Sequence, residues 1–89
     1  MEIPEDVKEL LEELKRRGLK PSLVAVERAP TSYDAWRDGK YIGVLPSDEV
    51  YKERDLVVCG KLTCACFVED TIKYVWQREK RRLYEPEEW

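Results

Sequence analysis

The sequence predicts a two-layer α+β domain. Two helices, one at each terminus, pack on an antiparallel sheet of about five strands, in the order helix, three strands, short helical turn, two strands, helix. Three observations predict this. Apolar residues recur at helical spacing at both ends of the 89-residue chain. The middle of the chain changes to a period of two. The breaks between segments carry cap and turn residues rather than linkers. Residues 1–84 read as one domain with one core, and 85–89 as a short acidic tail.

The first helix spans residues 4–17. Val7, Leu10, Leu11 and Leu14 fall at i, i+3, i+4 and i+7, which is one face of an α-helix. Pro4 suits the first helical position. Glu5 and Asp6 sit at the positive end of the helix dipole, and Lys15, Arg16 and Arg17 at the negative end. Gly18 fits the left-handed residue of a Schellman stop, which brings Leu19 back to Leu14.

Residues 22–28 read as a strand that is apolar on both faces, hence central. Residues 33–45 read as a hairpin. Asp38-Gly39 is a preferred type I′ turn, and its register sets Trp36 opposite Tyr41. Ser47 caps a helical turn through Tyr51. Residues 56–59 and 62–68 form a second hairpin around Gly60-Lys61. Asp70 or Thr71 then caps a second helix, to about Tyr84. Val68, Ile72, Val75, Trp76 and Leu83 share its apolar face. The order loosely resembles that of a double-stranded-RNA-binding domain. Such domains open their second helix with a Lys-rich segment, whereas this one reads Glu69-Asp70-Thr71.

All three cysteines lie in the stretch VVCGKLTCACF. Alternation along the hairpin puts Cys59, Cys64 and Cys66 on one face, with Val57, Leu62 and Val68 beside them. The favoured reading is three buried free thiols acting as small hydrophobes. A bridge is disfavoured, because Cys59–Cys64 is a diagonal pair in this register. A metal is disfavoured too, because the spacing is not that of a zinc site and the chain has no His.

Function is narrowed more by what is missing than by a motif. With no His, acid–base chemistry falls to carboxylates, Cys, Tyr or Lys, and no phosphate loop or metal loop is present. A net charge of −3 disfavours a general nucleic-acid or anionic-membrane binder. No apolar run reaches the ~20 residues of a membrane span, and the charged N-terminal residues read as neither signal nor transit peptide. The expected protein is cytoplasmic, cofactor-free and non-catalytic. The absence of Asn, with a single Gln and dense Glu, Lys and Arg, fits a thermophilic source.

Two surfaces stand out. The hairpin face opposite the cysteines carries Val58, Ala65 and Phe67. With both helices on the cysteine side, that face is left to be covered either by a loop or the tail of the chain itself or by a partner, favourably a second copy of the chain, with Trp89 as a tail anchor. The alternative is a single-stranded nucleic-acid surface at the basic end of the second helix, using Lys73, Arg78, Arg81 and Arg82.

Overall fold

The computed structural model describes residues 1–88. Helix α1 (Glu5–Arg16) leads into a meander of β1 (Leu23–Ala29), β2 (Ser32–Arg37) and β3 (Lys40–Pro46). A four-residue helix, α2 (Ser47–Val50), leads into a second meander of β4 (Leu56–Cys59), β5 (Thr63–Val68), β6 (Thr71–Gln77) and β7 (Arg82–Tyr84). A 3-10 turn, Pro86–Glu88, follows. Among the described residues the strands form one seven-stranded sheet in the order β3-β2-β1-β4-β5-β6-β7. The two meanders meet at a parallel pair, β1 beside β4, and every other pair is antiparallel.

Several local expectations hold. Gly18 sits at φ 75°, and Leu19 N–H donates to Leu14 C=O at 2.9 Å, the long bond of the Schellman stop. Asp38 and Gly39 both have positive φ, as a type I′ turn requires. Trp36 lies opposite Tyr41 with ring centroids 5.5 Å apart.

The second helix does not form, and the sheet is larger than five strands. Residues 71–77 are strand β6, and 82–84 are β7. The physical reason is local. Thr71, Ile72, Tyr74, Val75 and Trp76 are β-branched or aromatic and favour a pleated surface. Glu69 and Asp70 do not cap a helix. Both adopt positive φ, 49° and 71°, and form the two-residue turn of the β5–β6 hairpin. A second correction concerns the β4–β5 turn. It lies at Lys61-Leu62, one residue later than expected, so Gly60 N–H donates to Thr63 C=O at 2.9 Å. Moving a two-residue turn by one position shifts each partner by two. Cys59 therefore faces Cys64 rather than Leu62, and every strand side chain keeps its face.

The helices take opposite faces. Val7, Leu10 and Leu14 of α1 pack with Val24, Val57, Cys59, Cys64 and Cys66. Val50 of α2 packs with Leu23, Ala25, Ala35, Leu56 and Val58, the alternate residues of the same strands. A 12-residue helix covers the first face, whereas the helix on the second has four residues.

Candidate functional site: the half-covered sheet face

The α2 face can be followed strand by strand from the pairing register. Its lowest row runs Leu23, Leu56, Phe67, Ile72, and the next runs Ala25, Val58, Ala65, Val75, Tyr84. On the β1–β4 side these residues are buried under α2. On the β5–β7 side they are not. Ala65, Phe67, Val75 and Tyr84 are part-exposed, and Ile72 is 42% exposed. Tyr51, just past α2, reaches over the boundary. Its ring meets Phe67 edge-on at 6.2 Å and is itself 52% exposed. The result is an apolar step: α2 stands up on one half, and among the described residues the apolar side chains of the other half are part-exposed.

The upper row is polar. Glu27 of β1 stands one residue beyond the Val26–Cys59 pair, level with Gly60. Thr63 pairs with Gln77, which pairs with Arg82 at the start of β7. Glu27 and Arg82 thus share one row and one face, two strands to either side of β5. That is about 19 Å apart at ~4.8 Å per strand, too far to pair within one chain. Both are exposed, and neither is in a salt bridge among the described residues.

The structure distributes the expected site residues unevenly. Ala65 and Phe67 lie on the open half. Val58 is 8% exposed and belongs to the core under α2. Trp89 lies outside the described residues. Ile72, Val75, Tyr84 and Arg82 share the face with Ala65 and Phe67, but a helical reading of 71–84 scatters them. The signal that could find them is the alternation of Thr71 to Gln77 behind an acidic two-residue turn.

Of the four cations assigned to nucleic acid, Arg78 and Arg81 are tied to α1. Arg78 forms a fork with Asp6, Nε to Oδ2 at 2.9 Å and Nη2 to Oδ1 at 3.0 Å, and Arg81 pairs with Glu9. Lys73 sits at the β6 bulge and Arg82 on β7, so the four form no single helix end.

The cysteines correct the sequence expectation. Cys59 and Cys64 are bridged, with Cα atoms 4.0 Å apart, at the non-hydrogen-bonded position next to the Gly60–Thr63 pair. Cys66 is the free thiol; burial pushes its pKa up to about 12. It is a poor nucleophile at neutral pH. Two of three sulfurs in a bridge leave no three-thiol ligand set, and among the described residues no other group of metal-ligating side chains gathers. The bridge closes a short loop of sequence separation 5. Loop-closure entropy at that length is worth about 2 kcal/mol. A Cys59→Ala/Cys64→Ala double variant is therefore expected to lose about that much stability in urea unfolding. A loss within a few tenths of zero would show that the bridge does not constrain the unfolded chain.

No family model, no curated protein and no solved structure matches this chain.

Proposed function

We propose that this protein is a non-catalytic protein-interaction module that works through the open half of the α2 face. One observation carries the reading. The sheet is covered on one side by a 12-residue helix and on the other by four residues of helix, leaving Ala65, Phe67, Ile72 and Val75 as a contiguous apolar surface. Apolar residues that meet across adjacent strands are what a partner's core contact uses, whereas singly scattered ones need no partner. The chemistry around it supports binding rather than turnover. The face carries no His, and the one free thiol lies on the opposite side with its pKa raised.

The open half is small. Three strands at ~4.8 Å by about five residues at ~3.3 Å give roughly 240 Å² in projection. A standard interface buries about 800 Å² on each partner, so this surface is the centre of an interface with a polar rim, and the affinity is expected in the micromolar range. Native mass by light scattering at about 100 µM is the test for association with a second copy. Wild type is expected above monomer mass, and Phe67→Arg, which sets a charge in the middle of the patch, is expected at monomer mass. A wild-type chain that stays monomeric at that concentration overturns the self-associating form of this reading.

A further inference from the structure

We infer that the cleft between helix α1 and the β2–β3 turn is a binding site for a small amphipathic anion, an aryl or alkyl carboxylate. The cleft lies on the α1 side of the sheet, opposite the surface proposed above, and does not depend on it.

The chain builds the cleft from two local stops. Helix α1 ends at the Schellman turn around Gly18, and Lys20-Pro21 leads directly into β1. The Asp38-Gly39 turn closes the β2–β3 hairpin opposite. Between them lies a cavity of about 450 Å³. That falls within the roughly 300–1,000 Å³ of small-ligand sites. Its floor is Val24 and Trp36, cross-strand neighbours on β1 and β2. The Trp36 Nε1–H is already engaged by Met1 C=O, so the indole offers the cavity only its apolar surface. Leu11 and Leu19 form the helix-side wall, and Ile3 closes the far end. Such a lining takes an aromatic ring or a short alkyl chain.

Charge fixes the sign of the ligand. The rim carries two ammonium groups, Lys15 and Lys20, and one carboxylate, Asp38. Lys20 meets Asp38 at 3.8 Å, with both side chains largely exposed, which makes a loose pair of little worth. Lys15 is the residue left over. The other cations of α1 and its cap are matched: Lys8 with Glu2 and Glu5, and Arg16 and Arg17 with Glu13. Among the described residues Lys15 has no ion pair, and it stands one helical turn beyond Leu11, at the cavity rim. An anion whose tail lies on Val24 and Trp36 meets Lys15 with its head, and Lys20 is within reach as a second donor. A cationic head would face two ammonium groups, and a neutral one would gain nothing from either.

The test is a titration of the full chain, labelled with nitrogen-15, with 5-phenylvalerate and its neutral amide at low salt. The readout is the indole N–H resonance of Trp36, with that of Trp76 as the internal control. Trp36 lines the cavity, and Trp76 packs toward the other end of the strand order. At the usual efficiency of small ligands, a probe of ~13 non-hydrogen atoms binds with a Kd near ~1 mM. The Trp36 resonance is expected to shift and saturate in that range while that of Trp76 stays. The amide is expected to bind about threefold to fivefold more weakly. Lys15→Glu, an exposed position, is expected to weaken the acid by about fivefold and leave the amide alone. Salt at ~0.5 M is expected to erase most of the difference between acid and amide. Phe67→Arg, on the other face, is expected to change none of this, so the outcome is independent of the self-association test. A Trp36 resonance that stays put at ~10 mM acid, or that moves only together with Trp76, overturns the site. Equal affinities for acid and amide, unchanged by Lys15→Glu, overturn the anionic ligand class.

Discussion

Replacing Asp6 with Ala is expected to lower the unfolding free energy by about 2 kcal/mol at pH 7, the range for losing charge-assisted hydrogen bonds in a part-buried pair. Asp6 stands in the first turn of α1, yet its partners lie near the other end of the chain. Arg78 grips both its oxygens, and Trp76 Nε1–H points at Oδ2 at 3.4 Å. A further Arg78 N–H donates to Gly60 C=O at 2.8 Å. One ion pair therefore ties α1, the β4–β5 turn and the end of β6. Both side chains are under a fifth exposed, 17% for Arg78 and 15% for Asp6, so removing the carboxylate strands a poorly solvated guanidinium.

The same pair predicts a pH dependence. The hydrogen bond from Arg78 holds the Asp6 carboxyl below its ordinary value of 3.8, against the opposing effect of burial. A depressed folded-state pKa means the unfolded chain takes up the proton first. The stabilisation is complete well above the unfolded value and is lost as pH falls through the folded one. Wild type should therefore lose stability from about pH 5 downward, and Asp6→Asn should lose less over the same range. Urea midpoints at pH 7 and pH 3 measure it. Equal losses in both proteins would mean that Asp6 titrates alike folded and unfolded.

Legibility follows from which forces are local. Helix α1, its Schellman stop at Gly18 and the Asp38-Gly39 hairpin rest on contacts within a few residues, so spacing and turn chemistry are enough. The segment 71–84 is not legible in the same way. Ile72, Val75 and Trp76 satisfy a helical spacing of three and four. Tyr74 with Trp76, and Val75 with Gln77, equally satisfy a strand. What decides between them is β5, whose free edge accepts Thr71–Gln77 along its length. The irregularity in that pairing, between Cys66 and Phe67, also breaks the strict alternation on β6 that would flag a strand. The candidate face suffers from the same ambiguity. Its β4–β5 half is readable from the hairpin, and its β6–β7 half is hidden inside a helix that does not form. The Cys59–Cys64 bridge turns on one turn position: a two-residue turn at Gly60-Lys61 or at Lys61-Leu62 fits the same sequence equally well on local grounds.

Trp76 offers a sharp test of the packing beneath α1. As a strand residue it faces α1, pairs with Cys64 on β5 and Leu83 on β7, and is 2% exposed. Trp36 on β2 packs into the same core, on the same face, from the other end of the strand order. Its Nε1–H donates to Met1 C=O at 2.9 Å, as that of Trp76 does to Asp6. The start of α1 is thus held between two indoles that rise from one sheet face, toward its two ends. Trp76→Ala removes the larger part of one of these contacts and opens a cavity beneath the helix. The expected loss is about 3–5 kcal/mol, which takes most of the stability of a domain this size. Trp76→Phe keeps an aromatic ring and drops the N–H, and is expected to cost about 1–2 kcal/mol. Were Trp76 exposed, the two substitutions would differ little. Chemical unfolding of both variants checks it: a gap between them of under about 1 kcal/mol, on the order of a single hydrogen bond, contradicts the burial of Trp76 beneath α1.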